Sequence, residues 1–202
     1  MDEGVIKFSG ERVAGEVPHP PALDELNRAR TELFDLGLIG CYPNGIGYGN
    51  LSLREAGKRF LITGSATGAE RVLRFEQFCL VESFDPERNS VRSRGALMAS
   101  SESMTHGAIY AAHSAVNCVM HVHSRALFDA LLQQDTLHTA ADVPYGTPAM
   151  AQAVASLVQA QGSLPVLFVM AGHDEGIVAY GADIESVKQL IVNTYSEVTG
   201  HG

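Results

Sequence analysis

Two histidines on one short apolar segment constrain this chain more than any other feature. The segment Cys118–His123 reads Cys-Val-Met-His-Val-His, and its apolar character predicts a buried β-strand. Because side chains alternate between the faces of a strand, His121 and His123 point to the same face. A third histidine, His173, lies in an irregular segment after another β-prone run. Three imidazoles that meet can hold a divalent cation such as zinc and leave a fourth position open.

The histidine pattern also has an ordinary structural interpretation. A lone buried histidine is more often a hydrogen-bonded core residue than a ligand, and the pair on the strand does not by itself decide between the two. The position of His173 at the end of a strand favours the ligand interpretation, because functional residues concentrate at such ends.

A carboxylate precedes the histidine pair in the chain. Glu102 follows Ser100 and Ser101 near the start of a helix predicted to run to about His113. A metal and a carboxylate together can remove a proton next to a carbonyl group. His106 lies one turn further on the same helical face, where it is placed to orient the carboxylate. Both residues are also compatible with solvent-exposed positions, since the helix dipole favours an acid in the first turn.

Three segments rich in small and hydroxyl-bearing residues predict an anion site. They are Gly49-Asn50, the run Thr63-Gly64-Ser65, and Ser100-Ser101 before the helix. Hydroxyls, amides and free backbone N–H groups could bind a phosphate or carboxylate there without lysine or arginine. Each segment alone is an ordinary turn. The sequence contains neither of the glycine-rich fingerprints of nucleotide-binding loops, so it does not support a nucleotide site.

Composition narrows the class of protein. The net charge of −9 over 202 residues argues against nucleic acid and anionic membrane surfaces as partners, but not against a small anionic substrate. The chain begins with polar and acidic residues, and no apolar run is long enough to span a membrane. Three widely spaced cysteines form no metal-binding pair or disulfide framework. We therefore expect a cytoplasmic protein with a small-molecule substrate and no membrane or nucleic-acid partner.

Local patterns divide the chain into an N-terminal arm, residues 1–21, and a single domain, residues 22–202. The arm contains a possible edge strand at 5–8 and a proline-rich link. Strands and helices then mix without regular alternation, which does not favour a doubly wound parallel sheet. The predicted helices are 22–36, 101–113, 126–131, one that starts at Thr147-Pro148, and one from Asp183 to about Gly200; the predicted strands are 51–54, 59–63, 78–81, 118–123, 165–170 and 176–180.

Taken together, these motifs resemble the class II aldolase/adducin family. The resemblance rests on the runs 49–54 and 61–65, Ser100-Ser101-Glu102 with His106 and Tyr110, the strand 116–124 and His173, in the family's order over roughly residues 22–200. It implies an α/β fold of three layers, α/β/α, with a central and largely antiparallel sheet, and a homotetramer. It implies zinc, or another divalent transition metal, on His121, His123 and His173, and Glu102 as the acid/base residue. It assigns the substrate phosphate to Asn50, Thr63, Gly64, Ser65, Ser100 and Ser101.

The activity implied by the resemblance is that of a metal-dependent lyase. Such an enzyme cleaves a carbon–carbon bond of a small hydroxyketone or sugar phosphate through a metal-stabilised enediolate. An epimerase, a dehydratase or a decarboxylase could use the same site. An adducin-like interaction module without catalysis is the alternative from another class of protein.

The chain also departs from the family pattern. Gly47 stands where the family often has a hydroxyl residue, and two acids, Asp174 and Glu175, separate His173 from the glycine that commonly follows it directly. These acids are either solvated turn residues or groups that contact the substrate or tune the metal. Tyr145 is a candidate proton donor to a neighbouring subunit. The chain stops soon after its last predicted helix, so we expect the function of the longer C-terminal tail that closes the site in the family's aldolases to be missing or supplied otherwise.

Overall fold

An eight-stranded sheet lies between two layers of helices in the computed structural model, which describes residues 5–200. The strands are β1 Ser9–Val13, β2 Gly40–Cys41, β3 Gly47–Tyr48, β4 Asn50–Ala56, β5 Arg59–Thr63, β6 Phe78–Asp85, β7 Ser90–Arg94, β8 Cys118–His123, β9 Val166–Val169 and β10 Gly176–Gly181. The strand order in the sheet is β1-β7-β6-β5-β4-β8-β10-β9, and all neighbours are antiparallel except the pair β1 and β7. The predicted three-layer fold with a largely antiparallel sheet is confirmed.

Helices cover both faces of the sheet. On one face α1 (Pro21–Asp35), α3 (Arg125–Gln133) and α5 (Ile184–Thr199) bury one hydrophobic core, and on the other α2 (Ser103–Ala112) and α4 (Pro148–Gln159) bury the second. Strand β8 lies between β4 and β10 and is buried along its whole length. Its alternate residues enter different cores, Met120 the first and Val119 the second. Burial on both faces explains its nearly unbroken apolar sequence.

Local capping signals are confirmed at two helix starts. The Thr147 hydroxyl accepts from the Met150 N–H with Pro148 at the first helical position, and Asp183 accepts from the Ser186 N–H. Helix α5 ends before Gly200, whose φ of 68° is the left-handed conformation that glycine adopts readily.

The edge strand is displaced from its predicted position. The prediction of a strand at 5–8 was wrong, because the Phe8 side chain is buried in the second core and Ser9–Val13 pairs with β7 instead. Strand β7 and the short pair β2–β3 were not predicted, and helix α2 starts at Ser103, two residues later than expected. The division into an arm and one domain stays a prediction, and the polar first four residues lie outside those described.

Among residues 5–200, no helix is long and apolar enough to cross a membrane.

Candidate metal centre and substrate cavity

The three predicted histidines meet in the structure. Their rings lie 4.7, 4.9 and 5.0 Å apart between centroids, and one candidate ligand atom from each falls within 4.8 Å of the others. All three side chains are buried. His121 and His123 project from β8 toward the layer that contains α2, as their spacing predicts. The arrangement offers three imidazole nitrogens to one cation.

The connection between β9 and β10 brings His173 to the other two histidines. The His173 N–H donates to the Met170 carbonyl at 2.8 Å, and the His173 carbonyl accepts from the Gly176 N–H at 2.9 Å. Gly176 lies opposite His123 in the sheet. A Cβ at Gly176 would lie 3.2 Å from His121 Nε2 and 3.1 Å from His173 Cγ, so glycine allows the two imidazoles to approach this strand.

The chemistry of His121 fits a cation ligand. Burial lowers its pKa well below the usual value, and nearby His123, His173 and His106 lower it further. A neutral imidazole is the form that binds a metal. Its Nε2 is buried and has no hydrogen-bond partner within residues 5–200. A bound cation would give this nitrogen a partner. The Asn50 side-chain amide lies 3.3 Å from Nδ1, and rotation of that amide by 180° would let Oδ1 accept from an Nδ1–H group.

Glu102 lies beside this histidine cluster. It is buried, immediately before the first residue of α2, with Oε1 3.7 Å from His173 Nδ1. Its other oxygen, Oε2, accepts a hydrogen bond from the Thr105 hydroxyl at 2.7 Å. One carboxylate oxygen is therefore fixed by its own helix while the other faces the histidines.

A cavity of about 300 Å³ opens next to Glu102. Its walls combine the loop before β4, the loop after β5 and the segment before α2. The predicted anion-binding residues Asn50, Gly64, Ser65, Ser100 and Ser101 all line it, together with Glu102, Val5 and the run 45–49. Thr63 is placed differently: it is buried, and its hydroxyl accepts from the Leu51 N–H at 3.4 Å. Among the described residues that line the cavity there is no lysine or arginine, so N–H and hydroxyl donors would hold an anion.

His106 has partners other than the predicted carboxylate. Its Nδ1 lies 2.6 Å from the Ser52 hydroxyl, which in turn lies 2.8 Å from the Tyr110 hydroxyl. Burial lowers the His106 pKa to about 3. Thr105 binds the Glu102 carboxylate from the same helix, whereas His106 joins a polar chain between α2 and β4.

Tyr145 packs against the histidine cluster within its own chain. Its ring stacks on His173 with centroids 4.1 Å apart and an interplanar angle of 20°. The Lys7 ammonium group lies 3.7 Å from the centre of the Tyr145 ring. The side chain is buried, so the structure places it as support for His173. Its proposed proton transfer to a neighbouring subunit stays a prediction.

The two additional acids after His173 lie around one guanidinium group. Arg125 Nη2 lies 2.5 Å from Asp174 Oδ2, and Arg125 Nε lies 3.4 Å from Glu175 Oε1. These carboxylates raise the pKa of Arg125 further above its usual value. The Tyr42 hydroxyl donates to Glu175 Oε2 at 2.7 Å. Sequence reasoning missed Tyr42, Thr105 and Arg125, because nothing in their spacing links them to the histidines.

Comparison with known proteins gives one family match. Residues 43–195 match the Class II Aldolase and Adducin N-terminal domain, which is more than half of the chain. No curated protein sequence matches the chain.

Solved structures share the fold at low sequence identity. YgbL from Klebsiella pneumoniae, named as a candidate aldolase/epimerase/decarboxylase, is 20% identical with a TM-score of 0.61, over 87% of this chain and 84% of that one. L-fuculose-1-phosphate aldolase from Thermus thermophilus is 22% identical with a TM-score of 0.57, over 87% and 86%. A sugar-phosphate aldolase from Thermotoga maritima is 14% identical with a TM-score of 0.60, over 88% and 91%.

Proposed function

Because this chain belongs to the class II aldolase and adducin family, we propose that it is a metal-dependent lyase acting on a small hydroxyketone or sugar phosphate. The reaction is cleavage of a carbon–carbon bond. The observation that carries the proposal is the convergence of His121, His123 and His173, whose candidate ligand atoms lie within 4.8 Å of one another beside the buried carboxylate of Glu102. Three nitrogen ligands leave a coordination position for substrate, as catalytic zinc requires.

In this proposal the three histidines hold zinc or another divalent transition metal. When bound, the cation supplies Lewis-acid stabilisation of the negative charge that develops on substrate oxygens. Glu102 takes up and returns the proton. The Thr105 hydroxyl restrains one of its oxygens at 2.7 Å, so the carboxylate keeps a fixed orientation as the proton moves.

The cavity supplies the binding groups for an anionic substrate. Asn50, Gly64, Ser65, Ser100 and Ser101 offer amide, hydroxyl and backbone donors around a space of about 300 Å³. We propose that these groups bind a phosphate or carboxylate and so place the reacting carbons beside Glu102. Thr63 supports this loop from behind through its contact with the Leu51 N–H.

The first test of the proposal is metal content. The purified protein is expected to contain zinc at about one equivalent per chain, and His123→Ala is expected to lose both the metal and turnover. Loss of the cation removes several kcal/mol of transition-state stabilisation, or on the order of a thousandfold or more in rate. A metal-free, inactive wild-type protein would contradict the proposal and favour an adducin-like interaction module.

Product analysis distinguishes the activities that one site of this kind can support. The protein is incubated with a panel of hydroxyketone phosphates, sugar phosphates and hydroxy acids. An aldolase-type lyase releases two carbonyl fragments, whereas an epimerase, a dehydratase and a decarboxylase release a stereoisomer, water and carbon dioxide respectively. If one of these other products forms and the two fragments do not, the proposed carbon–carbon bond cleavage is wrong and the protein has the activity that gives that product.

We propose a homotetramer in the cytoplasm as the working form of the protein. The family resemblance implies the tetramer. Light scattering of the protein as it elutes from a size-exclusion column measures the mass of the assembly directly. The cytoplasmic location is supported by the cysteines, since Cys41, Cys79 and Cys118 are all free thiols.

A further inference from the structure

A chain of polar contacts leads from the surface to one of the three histidines. The Tyr42 hydroxyl lies 3.2 Å from His123 Nδ1 and donates its proton to Glu175 Oε2 at 2.7 Å. Tyr42 lies in the turn between β2 and β3, and Glu175 lies in the connection between β9 and β10. Two loops that are far apart in sequence therefore meet at His123.

The hydrogen count fixes the direction of these contacts. A phenol has one hydrogen, and in Tyr42 it is donated to the Glu175 carboxylate. The Tyr42 oxygen can therefore take part in the contact with His123 only as an acceptor, so His123 Nδ1 must carry the proton. A neutral imidazole protonated at Nδ1 coordinates a cation through Nε2. The contact selects one of the two tautomers of His123.

The backbone holds Glu175 in an unusual conformation to make this contact. Its φ is +65°, in the left-handed region where residues other than glycine are uncommon. The Glu175 carbonyl accepts from the Ser124 N–H at 3.2 Å, which ties it to the residue after β8. Backbone strain of this kind is concentrated at functional positions.

Charge around Arg125 leaves Glu175 with negative character. The guanidinium is closer to Asp174, at 2.5 Å, than to Glu175, at 3.4 Å, and it also contacts Asp129 at 3.4 Å. One guanidinium group thus contacts three carboxylates. The Tyr42 hydroxyl connects the negatively charged carboxylate of Glu175 to His123 through its two polar contacts.

We propose that Tyr42 and Glu175 are positioning residues that keep His123 in its metal-binding tautomer and so increase the affinity of the site for the cation. This inference rests on the proposed metal centre. It gives the two additional acids separate functions: Glu175 tunes a ligand, whereas Asp174 anchors Arg125. A carboxylate behind a ligand histidine raises the basicity of the coordinating nitrogen.

Competition with a chromophoric zinc chelator of known affinity tests the proposal on the full chain. Tyr42→Phe and Glu175→Gln are each expected to weaken zinc binding by about 10- to 100-fold. Glu185→Gln is the matched control, since it makes the same acid-to-amide change at an exposed position on α5, and it is expected to bind zinc as the wild type does.

The outcomes separate this inference from the metal centre itself. Wild-type affinity in Tyr42→Phe would overturn the inference while leaving the metal centre intact, and wild-type affinity in Glu175→Gln would overturn the function assigned to Glu175. A wild-type protein that binds no zinc would overturn both proposals.

A second measurement needs no variant and so does not depend on whether one folds. Long-range nitrogen–proton NMR spectra of the zinc-loaded wild-type protein report which nitrogen of each histidine carries a proton. The expected result is a protonated Nδ1 in His123. A zinc-bound Nδ1 would overturn the inference.

Discussion

His106 and His121 are both buried imidazoles, yet their surroundings give them different chemistry. The Nδ1 atom of His106 faces the Ser52 hydroxyl in a polar chain between helix and strand, whereas His121 faces two other imidazoles. Nothing in the residue type separates a structural histidine from a ligand. The separation comes from which side chains the fold brings around each ring.

Stability should fall in acid because of His106. Its pKa is lowered by burial from 6.5 to about 3, so between these values the unfolded chain binds a proton that the folded protein does not. The free energy of unfolding therefore has its full value above about pH 6.5. It decreases as the pH falls from there toward 3, with a slope of at most ~1.4 kcal/mol per pH unit from this one group. In His106→Asn, urea unfolding of the metal-free protein should show a shallower loss between pH 6.5 and 4. Equal slopes in both proteins would contradict this assignment.

Glu102→Gln should separate metal binding from proton transfer. The amide keeps the size of the side chain and can still accept from Thr105, but it is a much weaker base. We expect zinc content to persist and turnover to fall by about 10²- to 10⁴-fold. Glu185→Gln, at an exposed position on α5, is the control and should keep full activity. Full activity in Glu102→Gln would exclude the proton-transfer function.

At the scale of elements, helix α1 holds a wall of the cavity in place. The buried Arg30 guanidinium donates to the carbonyls of Thr67, Glu70 and Arg71, at 2.9, 2.6 and 3.2 Å. Burial lowers its pKa to about 10. The loop that carries Gly64 and Ser65 is thereby fixed from behind by a helix that does not itself line the cavity.

Arg30→Met should therefore affect both stability and substrate binding. Three carbonyls lose their donor, and we expect the free energy of unfolding to fall by roughly 2–4 kcal/mol. In steady-state kinetics KM should rise more than kcat falls, since in the proposed function the loop binds substrate but carries no reacting group. Arg28→Met, on the exposed side of the same helix, should change neither quantity. An unchanged KM in Arg30→Met would show that the loop keeps its shape without Arg30.

Gly176→Ala tests the close approach of β10 to the histidine cluster. The added methyl group would lie 3.2 Å from His121 Nε2 and 3.0 Å from the His173 carbonyl oxygen. Crowding of two ligands should weaken zinc binding by at least tenfold. Gly162→Ala is the matched control, because an added Cβ there has no described atom within 4 Å. Unchanged zinc affinity in Gly176→Ala would mean that His121 and His173 can move away from the methyl group without weaker zinc binding.

The elements that sequence predicts well are those with one strong local signal. The histidine strand has an unbroken apolar run, and α4 and α5 have capping residues at their starts. Strand β7 was missed because its Ser-Val-Arg-Ser-Arg sequence contains a single apolar residue, Val91. Its two arginines contact Glu82 on the neighbouring strand. Its pairing depends on β6 and β1, which local sequence does not describe.

The candidate site shows the same limit. The three histidines could be singled out because two of them share one face of a strand and the third follows another strand, and Glu102 because it precedes them in the order of the family's motifs. Tyr42, Thr105 and Arg30 contribute through contacts between distant segments or within one helical turn, and such contacts need the folded arrangement before they can be seen.

On the scale of the whole molecule, a metal ion should stabilise the fold. The ligands come from β8 and from the β9–β10 connection, so only the folded chain presents them together. Zinc at a hundredfold excess over its Kd should add about 2.7 kcal/mol, which raises Tm by roughly 5–10 °C for a chain of this size. His173→Ala should show no such rise in calorimetry. A zinc-dependent rise in that variant would point to binding elsewhere.

The position of β8 in the sheet has a consequence for biosynthesis. One neighbour, β4, precedes it in the chain, but the other, β10, ends at Gly181 and the third histidine comes at residue 173. A ribosome must therefore release these late residues before the ligand set can exist. Earlier nascent chains carry His121 and His123 without their partner, and so the complete ligand set for the proposed ion forms only after residue 173 has left the ribosome.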